Sequence, residues 1–136
     1  MTLYNYTSTT AGVATYQRTV LNHVYLDKGY QQTLSQRGIQ TEDQALMILD
    51  LSDYVATSGR TFVPAESWQA LTTQQKALYF TFRAPDDFII DGTASETLPN
   101  TTKAAMQVKY RCFGISSVAI PASDQAGPAL VEVTGR

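Results

Sequence analysis

The residues able to do chemistry are few and scattered. The densest acidic stretch is Asp86-Asp87, with Asp91 and Glu96 beyond it. Paired carboxylates serve as acid and base in glycoside hydrolysis, or as oxygen ligands to calcium. The calcium-loop spacing is absent, and Asp86-Asp87 directly follows Pro85, where aspartates cap the backbone N–H groups of a turn. The turn is the expected role. The single histidine, His23, would have to serve any Ser–His–acid triad. Ser116 and Ser117 follow Gly114, but G-x-S-x-G is not matched and nothing in the sequence sets a serine or an acid beside His23. The single cysteine, Cys112, excludes an internal disulfide, and one Cys with one His leaves little for a metal site. A buried structural thiol is the expected state of Cys112. Phosphate-cradling glycine patterns are missing too. No catalytic, cofactor-binding or metal-binding residue is assigned, and no cofactor is expected.

Eight tyrosines remain: Tyr4, Tyr6, Tyr16, Tyr25, Tyr30, Tyr54, Tyr79 and Tyr110. Aromatic faces can form a platform for sugars or bases. In a strand-rich chain most are expected to pack across strands, or against a neighbouring subunit.

Composition narrows the classes further. The chain has 136 residues, which suggests one domain. Charged residues make up only 16%, and Ser and Thr fill much of the gap. Such a surface suits contact with other protein. A net charge of −2 argues against nucleic-acid binding as the main role. No apolar run is long enough for a membrane span, and Met1 to Tyr6 carries neither a basic nor an apolar leader region.

The elements that must position these residues read mainly as strands. Leu3 to Tyr6 is a short strand, and Thr9-Thr10-Ala11-Gly12 is a hairpin turn. Val13 to Leu26 reads as one long extended segment with Ala14, Tyr16, Val20, Val24 and Leu26 on one face. Asp27 to Gly38 is a polar loop or irregular hairpin, and Ala45 to Leu51 a core strand. Pro64 to Leu71 is the one short helix, with Pro64 at its first position and Trp68 and Leu71 facing one core. Thr72 or Thr73 caps a further turn through Ala77. Tyr79 to Arg83 and Phe88 to Ile90 flank Ala84-Pro85-Asp86-Asp87 as a strand–turn–strand unit. Asp91 to Lys103 is a loop. Met106, Val108, Tyr110 and Cys112 alternate with polar residues, which predicts a half-buried strand. Gly114 permits a bulge before a strand from Ile115 to Ile120, Pro121 to Pro128 is a loop, and Ala129 to Thr134 closes the chain as a strand carrying Val131 and Val133. The sum is an all-β chain of six to eight strands: a small antiparallel β-barrel or sandwich with one short helix and long loops.

The order of these segments resembles a family of small virion proteins from the head–tail connection region of tailed phages and prophages of Gram-positive bacteria. The resemblance rests on Thr2-Leu-Tyr-Asn-Tyr with Val13-Ala-Thr-Tyr-Gln-Arg-Thr-Val-Leu, on Phe62-Val-Pro-Ala-Glu-Ser-Trp, and on Tyr79-Phe-Thr-Phe-Arg-Ala-Pro-Asp-Asp-Phe-Ile-Ile-Asp-Gly. Cys112-Phe-Gly-Ile-Ser-Ser-Val and Ala129-Leu-Val-Glu-Val-Thr-Gly-Arg complete it. Where family members usually carry a glycine–aspartate turn, this chain has Asp86-Asp87.

The resemblance implies a head-closure protein of the virion neck, assembled in the bacterial cytoplasm. It implies a homo-oligomeric ring of six or twelve copies under the portal and its adaptor, docking the tail terminator or tail tube. Packaged DNA would pass through the lumen without specific binding. No enzyme activity is implied, so no catalytic residue carries over. A ring needs two different patches on each copy. The polar segments Asp27 to Gly38 and Asp91 to Lys103 could reach the channel or an adjacent ring. The alternatives are a tail terminator or other minor capsid or tail component and, more remotely, a carbohydrate-binding β-sandwich that uses its tyrosines.

Overall fold

The computed structural model describes residues 1–35, 38–99, 101–120 and 130–136, with the backbone alone at 10, 30–35 and 38–42. Two hairpins begin the chain. β1 (Thr2–Thr10) turns into β2 (Val13–Val20) through Ala11 and Gly12, with φ values of 51° and 79°. Two positive φ angles in succession give the tight turn whose twist matches the paired strands. Thr7 is an extra residue in β1, where the register slips between Tyr6 and Ser8. β3 (Tyr25–Ser35) and β4 (Gly38–Asp50) form the second hairpin, in unbroken register from Tyr25↔Ile48 to Ser35↔Gly38. Asp27 to Ser35 and Gly38 are therefore regularly paired strand residues, where a loop or irregular hairpin was expected. The long segment expected from Val13 to Leu26 is likewise broken at residues 21–24, where His23 takes φ 53°. Thr19 and Leu21, not Val20, are the buried residues there.

The middle of the chain holds β5 (Thr61–Phe62), α1 (Ala65–Ala70), α2 (Thr73–Lys76) and β6 (Tyr79–Phe80). Pro64 is the residue before α1 rather than its first residue, and Trp68 is buried. Thr72 caps α2 reciprocally: its hydroxyl accepts from the Gln75 N–H, and the Gln75 side chain accepts from the Thr72 N–H. β5 and β6 pair in parallel with each other, whereas β7 (Phe88–Ile90) joins the large sheet. The expected strand–turn–strand unit is thus split between two sheets.

Next comes the clearest correction. Residues 103–109 form a helix, α3 (Lys103–Lys109), where alternation predicted a strand. The Thr102 hydroxyl accepts from the Ala105 N–H, and Lys-Ala-Ala-Met-Gln are good helix formers. Met106 is buried, while Val108 is 91% exposed. Three short helices therefore stand among the described residues, where one was expected. β8 (Cys112–Ala119) and β9 (Leu130–Gly135) follow, and Pro121 to Pro128 lies outside the described residues. The bulge in β8 falls between Ile115 and Ser117, later than Gly114.

Seven strands form one sheet in the order β2-β1-β7-β8-β9-β4-β3, with every pairing antiparallel. Laid flat, the sheet would be about 29 Å wide at ~4.8 Å per strand spacing. Yet β2 and β3, at its two ends, are joined only by residues 21–24, a link that reaches at most about 17 Å. The sheet must be rolled. β8 makes the bend, because its first residues pair with β7 and those from Ile115 onward pair with β9. The roll stays open: β2 and β3 do not pair, so the all-β expectation stands as a sandwich-like roll and not as a closed barrel.

Inside the roll, Leu3, Met47, Leu49, Ile89, Phe113, Ile115, Val131 and Val133 face one core. The segment between β4 and β7 fills the open end by inserting Phe80 and Phe82, which contact each other and Phe62 at ring separations of 5.8–6.1 Å. A second core lies on the other side of β1 and β7, where α3 and its preceding loop cover Tyr4, Phe88 and Ile90 with Met106, Ala94 and Leu98. β7 is therefore buried on both faces, and Phe-Ile-Ile is continuously apolar for that reason.

Candidate functional site

The acidic residues grouped by sequence are separated by the fold, each with its own partner. Asp86 pairs with Arg83 at 3.2 Å and Asp91 with Lys28 at 2.6 Å. Glu96 pairs with Lys109 and accepts a hydrogen bond from the Tyr110 hydroxyl at 2.9 Å. Those contacts hold the Glu96 carboxyl down to about 2, with the Lys109 hydrogen bond foremost. Asp87 behaves in the opposite way. It is fully buried and accepts from the Tyr6 backbone N–H and the Asn5 side-chain amide, each at 2.8 Å. Burial pushes its carboxyl up to about 6 despite those donors. The same Asn5 amide donates to the Thr81 carbonyl at 2.6 Å, so one side chain fastens β1 to the segments on both sides of the Pro85 turn. The capping role expected for the aspartates is fulfilled by Asp87, across strands rather than within its own turn.

His23 is exposed in the link between β2 and β3. Ser116 sits in the β8 bulge and donates to the Thr134 carbonyl at 2.9 Å. Cys112 is half-buried against the second core, and desolvation raises its thiol. The structure brings none of these three together as a reacting set. Among the described residues, no group of three or more His, Cys, Asp or Glu side chains is placed to hold a metal ion.

The tyrosines are dispersed as well. Tyr4 stacks on Phe88 at 4.8 Å, Tyr6 meets its cross-strand partner Tyr16 edge-on at 5.8 Å, and Tyr54 packs on Phe80 at 6.0 Å. Tyr25 alone among them is largely exposed, at 62%. The side chain of Tyr30 lies outside the described residues.

What the fold offers instead is surface. The outward face of β3, β4 and β9 presents Tyr25, Leu46, Ile48 and Leu130 as cross-strand or diagonal neighbours. Among the described side chains of these strands, the charges on that face are Asp27, Asp50 and Glu132, all acidic. A cleft of about 500 Å³ lies between Leu51, Tyr54, Val55 and Phe62. Beyond Ala45, where β9 stops, seven rungs of β3 and β4 continue with no third strand beside them among the described residues. This arm runs for roughly 20 Å. Its root is held by Lys28 on Asp91 and by Arg111, whose Nε donates to Asp43 at 2.9 Å. Sequence reading left this stretch open between a loop and an irregular hairpin, because its polar, glutamine-rich residues lack the period-two pattern that announces a half-buried strand.

Residues 1–125 match a family of unknown function, DUF6751, and the chain belongs to that family. No curated protein and no solved structure matches the chain.

Proposed function

We propose that this DUF6751 member is a structural protein of the tailed-phage neck. In this reading it is a head-closure component that assembles as a ring of identical copies between the portal and its adaptor on one side and the tail on the other. The observation that carries the reading is the β3–β4 arm, which extends a rolled β body by seven rungs with no third strand beside them among the described residues. An isolated two-stranded hairpin is at best marginally stable in water. Such an arm is suited to a neighbour, and a ring supplies one to every copy. The resemblance of the ordered segments supports the same role. So does a surface with little charge. A net charge of −2 also suits a conduit through which DNA slides without being held.

The function is one of shape and contact, with no catalytic step. Electron microscopy of purified particles tests it: the chain is expected as a ring at the neck of DNA-filled heads, retained when tails are absent. A ring that travels with headless tails instead makes it a tail terminator. Absence from virions ends the reading.

A further inference from the structure

We infer that copies of this chain join head to tail by strand addition, the β3 edge of one arm pairing with the β2 edge of the next copy. The inference deepens the ring reading above and rests on it.

β2 and β3 are the two ends of the sheet, so each presents an edge with no strand beside it among the described residues. Edge strands are ordinarily guarded by charges, prolines or a covering loop, because a bare edge invites another chain. The guards here are uneven. β3 carries Asp27 and Lys28 at the root of the arm, and then Gly29 to Ser35 has neither charge nor proline. β2 is guarded in its second half. The Arg60 guanidinium donates to the Arg18 carbonyl at 2.7 Å, and the Thr57 N–H donates to the Val20 carbonyl at 3.3 Å. These contacts show that the even-numbered residues of β2 point their backbone groups outward. Ala14 and Tyr16, the outward rungs of the first half, have no backbone partner beyond β1 among the described residues. Val13 to Gln17 also lacks charge and proline. A recess of about 270 Å³ lies beside this stretch, lined by Val13, Ala14, Tyr16, Leu98, Pro99 and Lys103, and it leaves room for an incoming strand.

The occupant is a second copy because both bare edges belong to one chain and the chain cannot join them itself. Thr57 and Arg60 occupy β2 where it lies closest in sequence to β3. Two bare edges of similar length, on opposite ends of one sheet, make a heterologous contact, and repeating that contact builds a ring when its rotation closes. Neither stretch holds a charge that would repel the other.

Two variants test this together. Ala14→Pro removes an outward N–H on an edge, where proline is tolerated. Replacing residues 29–44 with Asn-Gly removes the arm and closes the Lys28↔Ala45 rung with a two-residue turn. The association state is read by native mass spectrometry and sedimentation, with circular dichroism melts to establish folding. The wild-type chain is expected to form species larger than a dimer, and each variant alone to be a monomer. Mixed one to one, the two are expected to form a dimer that grows no further, because each supplies the edge that the other lacks. Should Ala14→Pro fail to fold, Val13→Lys, at an exposed position on the same edge, takes its place. A wild-type chain that stays monomeric at high micromolar concentration overturns the inference. So does a β2-edge variant that still self-associates, or a mixture that stays monomeric. None of these removes the neck role, which falls only if the ring is missing from virions.

Discussion

β3 and β4 pass through two environments. From Tyr25 to Lys28 and from Ala45 to Asp50 the pair borders β9, and Ala45, Met47 and Leu49 are sealed in the roll. From Gly29 and Gln44 onward the same two strands pair only with each other among the described strands. Backbone pairing is continuous through both halves, so hydrogen bonding does not distinguish them. Burial does. Each buried aliphatic side chain contributes roughly 1.5–3 kcal/mol, whereas a hydrogen bond exchanged with water nets about 1 kcal/mol before the entropy of ordering is counted. The body is held by its core, whereas the arm is proposed to find its surface on a second copy. The largest expected effect tests that difference directly. Met47→Ala is predicted to cost about 2–5 kcal/mol in urea unfolding. Excision of residues 29–44 is predicted to shift body stability by less than about 1 kcal/mol, since it removes no core residue. A large loss on excision would show that the arm stabilises its own chain.

The same contrast holds between two carboxylates. Asp87 is buried and its carboxyl is raised to about 6, while Glu96 is held near the surface by Lys109 and Tyr110 at about 2. Their contributions run in opposite directions with pH. The folded state favours neutral Asp87, so its stabilisation is complete below about pH 4 and is lost as pH rises through 6, a swing of roughly 3 kcal/mol. The Glu96 contribution is present above its ordinary range and is lost as pH falls towards 2. Asp87→Asn is therefore predicted to abolish a decline in stability between pH 4 and pH 7, measured by urea melts at both ends. The acid-side loss below pH 4 should survive that substitution and weaken in Glu96→Gln. If Asp87→Asn keeps the decline, the Asn5–Asp87 link does not govern it.

How much of this was legible in the sequence follows the range over which each feature is determined. The turn at Ala11-Gly12, the Thr72 cap, the buried run in β4 and the closing strand with Val131 and Val133 all depend on a few adjacent residues, and each is found where local rules put it. The roll, the parallel pairing of β5 with β6 and the Asn5–Asp87 hydrogen bond join residues far apart, the last across 82 positions. No window of sequence contains them. The candidate site divides in the same way. Residue types excluded an obvious reacting constellation, but the separate cations that claim Asp86, Asp91 and Glu96 emerge only from the fold.

Close approach gives a smaller effect inside the body. A Cβ added at Gly135 would lie 2.9 Å from the Phe113 Cβ, at the place where β8 and β9 press together beside the bulge. Gly135→Ala is predicted to cost about 1–3 kcal/mol, the usual range for overpacking. Gly29, in the arm, has no heavy atom within 4 Å of the same added atom. Gly29→Ala is predicted to be neutral or slightly stabilising, by less than about 1 kcal/mol. Equal costs at the two positions would mean that the arm is packed as tightly as the body.

The smallest effect tests the element read as a strand and found as a helix. Met106, Val108, Tyr110 and Cys112 alternate as a strand should, but a stretch this short satisfies two periods at once. Met106 and Tyr110 are also one helical turn apart, and both pack on the second core. The Thr102 cap and the paired alanines were the signals favouring the helix. The two readings part at Val108. An inward strand residue would lose about 1.5–3 kcal/mol on replacement by a polar side chain. In α3 it is 91% exposed, and Val108→Gln exchanges a β-branched residue for a better helix former. The substitution is predicted to change stability by no more than about 0.5 kcal/mol, with any shift towards greater stability. Met106→Gln, two residues earlier and buried, should cost several times as much. Similar losses at both positions would restore the strand.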